Sequence, residues 1–175
     1  MKLSDYWLAY RAGKVNRIHT EPGIHQENLA EHSHGVAMCL ILLHPNPHGN
    51  LLKAALLHDL GEFKTGDIPS PAKKASVEIE KWCEDQQNAF FSSIGVAFPE
   101  LSKQDSIALH IADKFDFAMW AYYEWLRGSR ITKTYVEMTK RMVYEAEEKC
   151  YDPETKAFVG KVNTLIACIL QEMNK

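Results

Sequence analysis

No stretch of this 175-residue chain comes near the roughly 18 consecutive apolar residues that a membrane-crossing helix needs. Residues 1–13 mix charge with aromatic side chains and lack a continuous apolar core, so no secretory signal is expected there. A cytoplasmic, reducing setting follows as the expectation. Cysteine is sparse and scattered: Cys39, Cys83, Cys150 and Cys168 leave no pair close enough for a CxxC knuckle or redox couple, and all four are expected to be buried free thiols. Basic residues give no excess either. Lys and Arg number 20 against 23 Asp and Glu, for a net charge of −3, which excludes the footprint of a duplex nucleic-acid binder while leaving room for a local phosphate pocket. No segment alternates with period two, so no sheet is expected. There are no repeats, low-complexity tracts or shifts in composition, and a single domain over residues 1–175 is expected.

Helical patterning, by contrast, runs through the chain. Hydrophobic residues make up 46% and charged residues 25%, as in globular proteins, and a chain of this length buries roughly 70% of its unfolded surface without staples. Ser4 is expected to cap a short helix ending at Gly13, followed by a loop over 14–26 carrying Pro22 and Gly23. Residues 27–44 form an amphipathic helix stopped by Pro45 and Pro47. Asn50 should cap the next helix, ended by Gly61, with a loop over 61–72. Further helices are predicted over about 75–93, from the Ser102–Asp105 capping pair to Arg127, over 133–151, and from Asp152–Pro153 to about Met173. The expectation is an all-α bundle of six or seven helices.

The segment AALLHDLGEFKTGDIPSPAKK at 54–74 begins apolar and ends in ionisable chemistry. His58 and Asp59 lie about 100° apart on a helix and can reach one point beside its end. Glu62 joins them if the last turn persists. An imidazole and a carboxylate converging on one point suit a borderline divalent ion such as Zn²⁺, Mn²⁺ or Co²⁺. Two ligands rarely suffice. His32 in AEHSHGVAM and Asp113 in IALHIADKFDFAMW sit in otherwise apolar helices, where an unpartnered polar group is costly. Together they make a two-His, two-Asp set from three helices. A hydrogen-bonded core histidine and a solvated aspartate are the competing readings of each residue taken alone.

This order of residues, His32, then His58–Asp59, then Asp113, resembles the signature of the HD-domain metal-dependent phosphohydrolases. ENLAEHSHGVAM and HDLGEFKTGDIPSPAKK are similar to two segments of their bacterial 5′-deoxynucleotidase branch, and Asn16–Arg17 precedes His32 as in that branch. Arg17–Pro22 and LHPNP at 43–47 are also similar to phage-encoded dATP triphosphohydrolases, in which case the setting would be a host cytoplasm. The resemblance implies the all-helical HD-domain bundle and a divalent cofactor (Co²⁺, Mn²⁺, Zn²⁺ or Mg²⁺, one ion or more) held by His32, His58, Asp59 and Asp113. It implies Glu62 as the carboxylate that works on water, and Asp67 in proton transfer or at the sugar 3′-hydroxyl. Arg17 and Lys73 would hold phosphate, with Lys74 the register alternative, and Ile18 and Pro71 would line a base pocket. The reaction it points to first is dATP to deoxyadenosine and triphosphate. The alternatives are 5′-deoxynucleotidase action on monophosphates, a nucleotide sensor without turnover, and a metal-stabilised helical interaction protein. His110, one turn before Asp113, is a candidate outer partner. None of His19, His25, His34, His44, His48 and His110 is expected as a direct ligand. The aromatic run FDFAMWAYYEWL at 115–126 is read as a subunit interface, in keeping with the homo-oligomer, dimer or hexamer, that the resemblance implies.

Overall fold

The computed structural model describes residues 2–21, 23 and 25–175; the expected loop residue Pro22 lies outside them. The helices are α1 (Leu3–Ala12), α2 (Leu29–Leu43), α3 (Gly49–Leu57), the single turns α4 (Glu62–Thr65) and α5 (Ser70–Lys73), α6 (Val77–Ser93), α7 (Lys103–Leu126), α8 (Lys133–Glu147) and α9 (Pro153–Glu172). Among the described residues the extended pairing is one isolated bridge, Asn16 with Asn28. The protein is therefore all-α, with seven described helices longer than a single turn.

Capping chemistry sets most of the boundaries. Asn28 accepts from the Ala30 and Glu31 amides while Glu31 accepts from the Asn28 amide, so both ends of the capping box are closed. Ser102 and Asp105 do the same for α7. Asp152 accepts from the Thr155 amide, with Pro153 at the first helical position. Three expectations need correction. Ser4 lies inside α1, whose start is held by the Lys2 amide donating to Asp5. Asn50 lies inside α3, where the cap is His48, its Nδ1 accepting from the Leu51 amide. The 61–72 segment is not plain loop but folds into α4 and α5.

Helix α7, 24 residues long, runs through the centre and packs against α2, α8 and α9. Val36, Leu40, Leu51, Ile111, Phe115, Val136, Val143, Phe158, Val162 and Ile166 form the main core. A smaller cluster joins Ala12 of α1 to Phe90, Phe91 and Ile94, with Leu57, Leu60 and Phe63 against it. The aromatic run at 115–126 proves to be mostly core. Phe115 and Trp120 are buried and Phe117, Tyr122 and Trp125 pack on the main cluster, which leaves Met119, Tyr123 and Leu126 exposed. Its partners are helices of the same chain, which corrects the reading of the whole run as an interface. Cys39 and Cys150 are buried, but Cys83 is half-buried and Cys168 exposed, so the expectation held for two of the four. No described helix is long and apolar enough to cross a membrane.

Helix α9 closes the core through Phe158, Val159, Val162 and Ile166. Trimming one methyl from the fully buried Ile166 by Ile166→Val is expected to lower the unfolding free energy by about 1 kcal/mol, read from the midpoint of urea denaturation.

Candidate metal centre

His32 lies in the first turn of α2 and is completely buried. His58 is the C-cap of α3, which stops three residues earlier than Gly61 would have ended it. The reason lies in α6. Gln87 Nε2 donates to the His58 carbonyl at 2.9 Å, and the backbone passes so close that a Cβ at Gly61 would meet Gln87 at 2.6 Å. Gly61 is thus required for clearance rather than as a helix terminator. The turn after α3 presents Asp59 beside His58, and Glu62 opens α4 on the same side.

The outer nitrogens of both imidazoles are engaged. His58 Nδ1 is 2.9 Å from the Ala55 carbonyl oxygen, and His32 Nδ1 is 2.7 Å from Asp116 Oδ2. A carbonyl and a carboxylate can only accept, so each neutral ring carries its proton on Nδ1 and presents a lone pair at Nε2. Those two Nε2 atoms face each other at 3.2 Å. Asp113 Oδ1 lies 3.3 Å and Asp59 Oδ2 3.7 Å from His32 Nε2. Two opposed lone pairs flanked by two carboxylates repel unless a cation sits among them, so this donor set fits a divalent ion. Ligand atoms of His32, His58 and Asp59 lie within 4.8 Å of one another, and Asp113 joins them through His32. Burial opposes charge on His32, but the hydrogen-bonding carboxylates of Asp113 and Asp116 outweigh it and carry its pKa up to about 9, so that without an ion a proton on Nε2 offsets these carboxylates and a metal would take its place. Burial likewise works to raise Asp113 and Asp59, and is overcome. His32 and Lys114 hold Asp113 well below the usual range, while His58 and Arg17 lower Asp59.

Glu62 is buried, with one oxygen hydrogen-bonded and the other in an ion pair with Arg17 at 3.6 Å. Its Oε1 accepts from Lys73 Nζ at 2.9 Å, whereas Oε2 has no hydrogen-bond partner among the described residues. Burial and the neighbouring Asp59 push its pKa up to about 7 against the pull of Lys73 and Arg17. Arg17 Nη1 donates to Asp59 Oδ2 at 2.6 Å and lies 3.6 Å from Glu62, while its Nε lies 3.4 Å from Glu27. Asp67 Oδ2 accepts from the Ile18 amide at 2.8 Å. Ile18 needs that hold, because its φ of 54° is left-handed, a conformation costly for a β-branched residue. Its side chain packs on the main core, and Pro71 is exposed on α5. Lys74 caps the C-terminus of α5 and is exposed, so Lys73 is the lysine that reaches the cluster.

Three residues at this site were not singled out from sequence. Asp116 holds the outer nitrogen of His32, whereas His110, the candidate outer partner beside Asp113, is exposed. Glu27 is buried beside Arg17, before the α2 cap rather than within the helix. Gln87 reaches in from α6. The remaining histidines lie elsewhere: His34 is exposed, His48 caps α3, His44 accepts from the Asn46 amide, His25 lies 3.4 Å from Glu31, and His19 lies 3.8 Å from Asp67.

The sequence profile of the HD domain matches residues 12–124, which hold every acid, histidine and cation gathered around His32. The chain belongs to the HD-domain family. Among curated relatives of this HD domain, a 5′-deoxynucleotidase of Shewanella oneidensis is 26% identical over 171 residues, covering 87% of this chain and 88% of that protein. Among solved structures, the HD phosphohydrolase of cyanophage S-2L, bound to dA and one catalytic Zn²⁺, superposes with a TM-score of 0.69 at 15% identity, over 96% of this chain and 99% of that one. A Pyrococcus horikoshii protein gives a TM-score of 0.71 at 21% identity, over the same shares. These two likenesses show that the HD fold extends over nearly the whole chain.

Proposed function

We propose that the protein is a metal-dependent phosphohydrolase acting on deoxynucleotides, and within that class a 5′-deoxynucleotidase. The observation that carries this is the convergence of two histidines, each with an accepting partner on Nδ1, and the carboxylates of Asp59 and Asp113 on one point, with Glu62 joined to Asp59 through Arg17. The similarity to a relative named as a 5′-deoxynucleotidase supports the substrate class.

In this reading His32, His58, Asp59 and Asp113 hold the ion. When bound, it neutralises phosphate charge and lowers the pKa of a water. Glu62 Oε2 would accept the proton of an attacking water, and Lys73 keeps the carboxylate oriented. The water oxygen attacks phosphorus, the bond from phosphorus to the 5′ oxygen breaks, and the 5′ oxygen receives a proton. Asp67 takes the role of assisting that transfer or of meeting the 3′-hydroxyl. Arg17 holds a phosphate oxygen, and Ile18 and Pro71 border the base. A non-catalytic sensor would have no need of Glu62 as it stands.

The first expectation, a dATP triphosphohydrolase, becomes the second reading. Arg17 already faces Asp59, Glu62 and Glu27, and Lys73 faces Glu62, so neither cation is in surplus for a β- or γ-phosphate. Lys64 and Lys74 are exposed. The dA bound to the cyanophage protein is the nucleoside that either reaction would release, so that likeness favours neither reading. Phosphorus NMR with dAMP and dATP offered separately, with Co²⁺ or Mn²⁺ and with chelator, decides between them. Inorganic phosphate from dAMP, lost with chelator, is the expected result. Inorganic triphosphate from dATP would establish the second reading, and binding without turnover would establish a sensor.

Self-association belongs to the same proposal. Exposed Met119, Tyr123 and Leu126 form one stripe of α7 at helical spacing, which supports a homo-oligomer; the cytoplasm is the setting proposed for it.

A further inference from the structure

A second acidic group surrounds the outer nitrogen of His32: Glu27, His32 and Asp116. It is not built as another metal site. Donors sharing an ion, each about 2 Å from it, stand about 3 Å or more apart, whereas His32 Nδ1 and Asp116 Oδ2 are 2.7 Å apart, the distance of a charge-assisted hydrogen bond. Glu27 Oε2, 4.0 Å from the same nitrogen, is too far to share it.

We propose that Asp116 is the positioning residue for His32, and that Gly35 is what allows it to reach. Gly35 sits in the interior of α2, one turn after His32 and facing α7. A Cβ placed there would lie 1.8 Å from Asp116 Oδ1 and 2.8 Å from its Cγ. No L side chain fits while the carboxylate stays where it is. A glycine inside a helix is a poor helix former, so its presence at 35 calls for a reason, and the reason is this carboxylate. Oδ1 fills the space a side chain would take, and Oδ2 accepts the Nδ1 proton of His32. The bond fixes the ring's tautomer and rotation and raises the basicity of Nε2, the atom turned toward His58, Asp59 and Asp113. Asp116 therefore acts through His32 and touches neither ion nor substrate. The signal was present in the sequence: Asp116 is i+3 from Asp113 on a largely apolar helix, a second carboxylate on the same face.

The inference rests on the proposed metal centre, and the test separates the two. Co²⁺ affinity is measured on the full-length apo protein by competition with a chromophoric chelator, together with the visible Co²⁺ spectrum. Asp116→Ala and Gly35→Ala are each expected to weaken binding by about 10–100-fold. The double variant should bind no more weakly than the worse single one, because both changes act through one carboxylate. Asp116→Asn, whose amide oxygen still accepts from Nδ1, should recover most of the affinity and the wild-type spectrum, which a merely structural role would not require. His58→Ala serves as the reference for a lost ligand. Wild-type affinity in both alanine variants, with His58→Ala impaired, would overturn the positioning role and leave the proposed function standing. Wild-type affinity in His58→Ala as well would overturn both.

Discussion

Glutamine in place of Glu62 is expected to lower turnover of the deoxynucleotide by about 10²–10⁴-fold while leaving metal content unchanged, the range for loss of a positioned general base. The substitution is nearly isosteric. The amide oxygen can still accept from Lys73 Nζ, so the 2.9 Å contact that orients the side chain survives in the variant. What disappears is the basic Oε2, the buried oxygen that makes no hydrogen bond among the described residues and lies 3.6 Å from Arg17 Nη1. Glu62 Oε1 is held by Lys73 and Oε2 lies 3.6 Å from Arg17 Nη1, so the side chain is engaged away from the ion and a bound ion should be retained. Single-turnover hydrolysis alongside metal analysis checks the split. A variant that loses metal in step with activity would place Glu62 on the ion instead of on the water.

The second large effect concerns His58. His58→Ala is expected to lose the ion through dialysis, with hydrolysis falling to the uncatalysed background, yet to unfold at nearly the wild-type apo temperature. The reasoning is structural. His58 is a C-cap, half-buried, outside both apolar clusters, and the polar contacts of its ring among the described residues are to the Ala55 carbonyl, His32 and Asp59. Removing the ring relieves the opposition of two lone pairs and leaves the main core untouched. A metal-stabilised interaction protein would behave otherwise, since its folding would follow metal binding and the variant would be unfolded at ambient temperature. Circular dichroism melts of the wild type with chelator and of the variant therefore separate an enzyme from a metal-folded module.

How much of this could be read from sequence depended on how local the cause was. The caps at Asn28, Ser102 and Asp152 were legible because each acts within three residues of itself. His32, His58, Asp59 and Asp113 were found because polar residues inside apolar helices stand out without reference to a partner, and the structure brings their side chains to one point. The end of α3 was misjudged because it is decided from α6, where Gln87 takes the His58 carbonyl, a contact between distant parts of the chain. Glu27 was missed for a similar reason: its burial comes from Arg17 and the packing of the loop before α2. Asp116 differs, since the cue was local and lay three residues beyond a residue already chosen.

The division of the chain at residue 124 bears on how such a protein adapts to temperature. Among the described residues, none of the acids, histidines or cations around His32 comes from α8 or α9, while Val136, Val143, Phe158, Val162 and Ile166 of those helices fill the main core. Heat tolerance can be gained or lost by repacking these two helices while the side chains gathered around His32 stay fixed. A lineage moving to a warmer or colder habitat has its freest room for change there.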